Sequence, residues 1–444
     1  MNQSPFFYPR LPEIDIDAQG ELLLAGHPAH ELVARHGSPL VVILEDALRR
    51  NCRAWMHPPE SGLRYRMYYA SKALLTSGLA ALMHSEGLGI DVVSMGEMAT
   101  ALAGGVPPEM ILMHGNAKDR SELQYALEHR VGRIVIDNLE EITRLAELAR
   151  EAGIRQKVFV RVTPGVRPST HRYVQTGQQD SKFGFNLEGG LAEQAVQQVL
   201  RCPELELVGL HCHIGSQVLE SEPFVAAAGR MLEFYAHVQG ELGAPLDELN
   251  LGGGIGIRYR DRDAAMDPVL HMSQLYAFVT QWCEDNNVTV PLICDEPGRS
   301  IIGETGVTLY TVQSTKQIEN IRNYASVDGG MTDNPRFALY EARHPVAPAR
   351  RMYDAPDQLW SVSGKCCETG DMLIHDVEMC ELHAGDLMAF FSTGAYTWSM
   401  ASNYNRVARP AVLLLAAERE GLLARRETTE DLLRLDCIPD WLTA

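Results

Sequence analysis

The chain is 444 residues long, too long for one ordinary domain and suited to two or three. Hydrophobic residues make up 45% and charged residues 22%, the balance expected of a soluble globular protein, and no apolar run is long enough to span a bilayer. The net charge of −19 disfavours nonspecific nucleic-acid binding, so neither a nucleic acid nor a membrane is an expected partner. Met1-Asn2-Gln3-Ser4-Pro5 has no basic segment followed by an apolar one, so no signal peptide is expected. The nine cysteines lack the spacing of a zinc site, which predicts reduced thiols, a cytoplasmic setting and no metal centre.

In chain order, residues 13–17 and 22–24 read as short strands. Eight apolar runs then follow at 68–70, 90–93, 111–113, 134–136, 158–162, 208–213, 249–251 and 292–294. Helix-period stretches separate several of them, at 77–86, 96–103, 121–128, 140–151, 191–200 and 224–242. Continuous rather than alternating apolar strands indicate a sheet buried on both faces. Eight strand-then-helix units predict a (β/α)8 TIM-like barrel. A doubly wound open sheet is disfavoured, because no Gly-x-Gly-x-x-Gly opens the first helix. Beyond about residue 305 the pattern changes to strands without long helices, at 306–315, 324–327, 359–363, 372–375, 387–391 and 411–416. The expected domains are N-terminal strands at 1–40 added to the β domain, a barrel at 41–305, and a mainly C-terminal all-β domain at 306–444.

Barrel enzymes place functional groups where strands end. Those ends carry Lys72; Asp91 and Ser94; His114 and Asn116; Asp137 and Asn138; Arg161; His211 and His213; Gly252-Gly253-Gly254; and Asp295-Glu296-Pro297-Gly298-Arg299. A lysine at a buried strand end can be desolvated, which lowers its pKa and frees an amine for Schiff-base chemistry. A glycine triplet can turn backbone N–H groups toward a phosphate, and an acidic group can keep a pyridine nitrogen protonated. Taken singly, each has a plainer reading: a surface lysine, a tight turn, an exposed ion pair, a core histidine. Together they suit a phosphorylated aromatic aldehyde, with Lys72 as the amine, Glu296 on the ring nitrogen, His213 stacked on the ring, and the glycine turn with Tyr396 on the phosphate.

Further segments extend the pattern. They are Tyr69-Ala70-Ser71-Lys72, Ser181-Lys182-Phe183-Gly184, His211-Cys212-His213-Ile214-Gly215-Ser216, Asn250-Leu251-Gly252-Gly253-Gly254, Glu296-Pro297-Gly298-Arg299, Val327-Asp328-Gly329-Gly330-Met331, Cys367-Glu368-Thr369-Gly370-Asp371 and Gly394-Ala395-Tyr396. In this order the chain resembles the fold-type III pyridoxal-phosphate decarboxylases from about residue 40 to 410, and among them the branch acting on meso-diaminopimelate. The resemblance implies pyridoxal 5′-phosphate held by Lys72, His213, Ser216, Gly253, Gly254, Glu296, Pro297, Gly298, Arg299 and Tyr396. It implies that Arg299, Arg336 and Tyr340 bind a distal carboxylate, that Glu368 binds a distal ammonium, and that Tyr396 touches phosphate and substrate. It implies that Cys367 returns a proton to the carbanion. It also implies a homodimer in which Cys367, Glu368 and Tyr396 enter the site from the second subunit.

The substrate choice has a chemical basis as well. A guanidinium matches a carboxylate and a carboxylate matches an ammonium, so Arg336 with Glu368 suits a substrate carrying both at its far end. Ornithine, lysine and arginine lack that carboxylate, and a decarboxylase for one of them is the competing enzyme. A noncatalytic cofactor carrier would not need Cys367, Glu368 and Tyr396, and an alanine racemase would need no distal recognition. Two features depart from the family: the Lys365-Cys366 pair before Cys367, and Thr369 in place of a serine. Lys182 is a rival amine, but it falls in a polar stretch, 164–184, that reads as a lid.

Overall fold

A computed structural model describes residues 4–56, 62–166 and 181–442. Most of the expected lid, 167–180, lies outside the described residues. The chain forms two compact units, one made of 49–257 and 263–301, the other of 1–48, 258–262 and 302–444.

The first unit is a barrel. Its strands are β1 (Tyr65–Ala70), β2 (Gly89–Val92), β3 (Ile111–Met113), β4 (Arg133–Ile136), β5 (Gln156–Thr163), β6 (Leu205–His211), β7 (Glu248–Asn250) and β8 (Leu292–Asp295). Each pairs in parallel with the next, and β8 pairs with β1, which closes the sheet. These are the eight apolar runs, mostly buried because helices cover one face and the barrel interior the other, with Val93 exposed and Leu292 half-buried. Tyr68, Leu112, Val135, Phe159, Val208 and Cys294 pack together as one buried cluster.

The barrel's two ends are built differently. At the strand starts, Arg133 Nε donates to Glu248 Oε2 at 2.7 Å, and Arg66 lies 3.4 Å from the same carboxylate. Buried charges paired in this way close that end. At the strand finishes, the helices begin with side-chain caps: Thr76, Ser94, Asp119 and Asn138 each accept a backbone N–H three residues on. These caps turn the chain sharply and leave the strand-end side chains facing a common space. Helix Pro268–Asp285 was not among the helix-period stretches, because Val269 and Leu270 are exposed and blur its apolar stripe.

The second unit is sheet-rich. Its long strand Gly306–Ile318 pairs with Leu40–Leu44, Arg322–Val327 and Leu387–Phe391, and further pairing extends the sheet to nine strands. Strands Ile14–Ile16, Leu22–Leu24 and His27–Pro28 form a separate three-stranded sheet, whose Leu22 and Leu24 are buried in this unit's core. No helix among the described residues is long and apolar enough to cross a membrane.

Candidate active site

The finishing ends of the barrel strands surround a cavity of about 470 Å³, lined by Lys72, His114, Arg161, Phe183, His213 and Glu296 among others. Lys72 sits on a 3-10 turn, Ser71–Ala73, directly after β1. Its side chain is 43% exposed, and its Nζ lies 3.4 Å from Asp91 Oδ2 on β2. Glu97 lies nearby with its carboxyl raised, first by burial and then by the charge of Asp91, while the Val93 N–H opposes the rise.

Glu296 follows β8 and is buried. Its Oε1 accepts from His114 Nε2 at 2.8 Å and from Asn250 Nδ2 at 2.8 Å, and its Oε2 accepts from His211 Nε2 at 3.3 Å. Burial alone would push this carboxyl up, but His114 and His211 outweigh it and hold the group well below the usual carboxylate range. Burial pushes His211 down to about 4, so its imidazole is neutral and donates as Nε2–H.

His213 is neutral too: burial, then the Lys72 charge, place it well below the ordinary histidine value. Its Nδ1 accepts the Gly253 N–H at 3.2 Å, which fixes the ring against the glycine turn. That turn tolerates no side chain. A Cβ on Gly253 would lie 2.1 Å from Glu296 O, and Gly254 has a φ of +124°. Arg299 donates to Ser216 Oγ at 3.0 Å, and Pro297 O accepts the Ala70 N–H at 3.0 Å. A Cβ on Gly298 would sit 3.0 Å from Ala70 Cβ, so this turn packs directly on the strand that carries Lys72. The barrel unit thus brings together Lys72, His213, Ser216, Gly253, Gly254, Glu296, Pro297, Gly298 and Arg299.

The sheet-rich unit gathers a second set. Arg336 opens the short helix Arg336–Tyr340 and is buried, with its guanidinium carbon 5.6, 5.7 and 5.9 Å from the ring centroids of Tyr259, Tyr340 and Tyr396. Tyr396 adopts a φ of +60°, a strained conformation for a bulky residue. Cys367 and Glu368 stand on an exposed turn, where the Cys367 N–H donates to Asn405 Oδ1 at 3.0 Å. Asp371 anchors that turn by accepting the Cys366 N–H at 2.7 Å and the Met331 N–H at 2.6 Å. Burial, then the charge of Asp371, push the Cys366 thiol up to about 11. Lys182 rests over the Phe183 ring, 4.9 Å from its centroid.

Sequence reasoning placed His114 and His211 at strand ends but gave them no task, and it gave none to Asn250, Tyr259 or Asp371. Only the position of His114 and His211 at strand ends hinted at function; that three donors meet one carboxylate requires the closed barrel.

One cavity holds an amine, a buried anionic carboxylate and a neutral imidazole, and the glycine turn bonds to that imidazole. This set fits a flat aromatic carbonyl cofactor with a phosphate tail, and it defines a barrel enzyme of the cofactor-dependent kind. The family described as pyridoxal-dependent decarboxylase, pyridoxal binding domain, matches residues 45–303, more than half of the chain. The chain belongs to the pyridoxal-dependent decarboxylases, and its cofactor is pyridoxal 5′-phosphate. It is 44% identical over 418 residues to the diaminopimelate decarboxylase of Bacillus subtilis (strain 168), covering 94% of this chain and 95% of that one. It is 41% identical over 429 residues to the diaminopimelate decarboxylase of Mycobacterium tuberculosis (strain H37Rv), covering 95% and 96%. Among solved structures, it resembles diaminopimelate decarboxylase from M. jannaschii in co-complex with L-lysine, with a TM-score of 0.89, 31% identity, and coverage of 97% and 99%. A lysine/ornithine decarboxylase from Vibrio vulnificus, at 22% identity and a TM-score of 0.73, shares the fold.

Proposed function

We propose that this chain is a diaminopimelate decarboxylase, which releases CO2 from meso-2,6-diaminopimelate and yields L-lysine, the last step of lysine biosynthesis. The likeness to enzymes of that name supports the reaction. The observation that carries the substrate choice is Arg336, a buried guanidinium set among the rings of Tyr259, Tyr340 and Tyr396, a charge that suits a carboxylate. Ornithine, lysine or arginine would bring no distal carboxylate to it, and their far-end cation would meet a like charge.

Bound pyridoxal phosphate supplies an electron sink for the pair left when CO2 departs. The Lys72 amine would hold the cofactor's carbonyl carbon. Glu296, as an anion, would hold the ring nitrogen, and the neutral His213 would bear on the ring. Ser216, Gly253, Gly254, the turn from Pro297 to Arg299, and Tyr396 would hold the phosphate. Arg299, Arg336 and Tyr340 orient the distal carboxylate, Glu368 takes the distal ammonium, and Tyr396 also borders the substrate. The Cys367 thiol gives a proton to the reacting carbon. In this reading two copies of the chain share their sites, with Cys367, Glu368 and Tyr396 supplied by the second copy and the 306–444 region as the donor. The working setting is the cytoplasm, with no membrane or nucleic acid involved.

Incubation with carboxyl-labelled meso-diaminopimelate tests the reading. Labelled CO2 and L-lysine should form in equal amounts, with no comparable release from ornithine or arginine. Equal turnover of ornithine would favour the competing decarboxylase.

A further inference from the structure

Glu296 is tied more tightly than a group that only needs to be negative. His114, Asn250 and His211 all point N–H donors at it, from the ends of β3, β7 and β6. The His114, His211 and Glu296 donor and acceptor atoms lie within 4.8 Å of one another, and the two imidazoles meet edge to face with centroids 4.8 Å apart. A carboxylate offers about four lone-pair positions, and three donors leave one.

We propose that His114, His211 and Asn250 form a clasp that fixes Glu296 as an anion with a single acceptor position left, aimed at the ring N–H of the cofactor. This rests on the reading above, in which Glu296 faces the ring nitrogen, and it gives that reading three positioning residues. Two features separate the clasp from ordinary core packing. His211 is wholly buried, yet its Nδ1 has no hydrogen-bond partner among the described residues. An unpaired buried nitrogen is costly, and an apolar residue at a merely structural position would avoid that cost. The second feature is the kind of donor. An arginine or lysine would cancel the carboxylate's charge and compete with the ring, whereas the neutral imidazole of His211 and the Asn250 amide orient the anion and leave its charge for the cofactor.

The sign of the effect follows. Removing a donor raises the proton affinity of Glu296, so the shared proton moves from the ring nitrogen to the carboxylate. The test is 15N NMR of the holoenzyme loaded with pyridoxal phosphate labelled at the ring nitrogen. Wild type should show a protonated ring nitrogen. His114→Phe and His211→Phe should shift that signal toward neutral pyridine and weaken cofactor retention about tenfold each, the loss of one charge-assisted hydrogen bond. His114→Gln, which keeps an N–H donor, should restore most of both. Wild-type signals in the Phe variants would overturn the clasp. A second measurement needs no variant: 15N-histidine labelling of the wild-type holoenzyme should show His114 and His211 protonated at Nε2. A proton on Nδ1 alone at either residue would overturn the proposal, because that Nε2 could not donate. A wild-type chain that takes up no pyridoxal phosphate would overturn the functional reading, and the clasp with it.

Discussion

The barrel and the sheet-rich unit carry their functional groups in opposite ways. In the barrel, charged side chains are already answered by neighbours: Glu296 by three donors, Lys72 by Asp91, and Arg161 by Asp137 at 3.6 Å. In the sheet-rich unit, Cys367 and Glu368 stand exposed on a turn tied by local contacts: the Cys367 N–H to Asn405, the Cys366 N–H to Asp371, and the Glu368 carboxylate accepting the Gly370 N–H at 3.1 Å. One region is organised in advance to receive a fixed cofactor. The other offers reactive side chains outward, as a half-site would. Both units share one device, a buried aspartate held by a tyrosine hydroxyl: Tyr276 with Asp295 at 2.6 Å, and Tyr310 with Asp333.

The contrast breaks first at Lys72. Lys72→Ala should abolish turnover and the visible absorbance of lysine-linked cofactor, because among the described residues no other lysine lines the cavity. Absorbance retained by this variant would point to Lys182. Next comes the exposed turn. Cys367→Ala should bind cofactor normally and turn over slower by about 10²–10⁴-fold, the usual weight of a general acid. Cys366→Ala should stay near wild type, because Cys366 is half-buried against Asp371 while Cys367 is the exposed thiol. Steady-state rates and cofactor titration separate the two. Equal losses in both variants would dissolve the distinction.

Arg336→Ala should lose roughly 1.5–3 kcal/mol of transition-state binding for diaminopimelate, the value of a charge-assisted contact. Weak turnover of lysine, which lacks the distal carboxylate, should hardly change. A matched loss on both would remove Arg336 from the distal pocket.

The smallest effect is on stability. Burial pushes Asp333 up from 3.8 to about 7. Between those values the folded chain keeps a proton that the unfolded chain has released, so this group makes stability fall as pH rises. Above about 7 the penalty is complete, and below about 4 it is absent. Asp333→Asn should therefore gain stability relative to wild type across that window, as measured by urea midpoints. A constant difference at every pH would mean that the carboxyl ionises normally.

Much of this was legible in the sequence, for identifiable reasons. All eight barrel strands were readable because β strands buried on both faces are continuous apolar runs, and their ends carried the lysine, histidines and glycines in order. Strand Leu40–Leu44 was not singled out. Its run of five buried apolar residues looks the same whether it lies in a barrel or, as here, between Gly306–Ile318 and Ala411–Ala416. The clasp on Glu296 was not legible, since its donors lie 182, 85 and 46 residues away in the chain. Tyr259 was invisible because only the fold brings it to Arg336.

The half-site reading of the sheet-rich unit has a direct test in mixed subunits. Lys72→Ala and Cys367→Ala chains, each with little or no activity alone, are combined and allowed to exchange, with hybrid formation verified by mass. If two copies share their sites, each hybrid contains one site with both native residues. Activity should then recover to roughly a quarter of wild type, since about half of the dimers are hybrid and each has one good site. No recovery after verified exchange would place Lys72 and Cys367 in the same chain's site and contradict the shared-site reading.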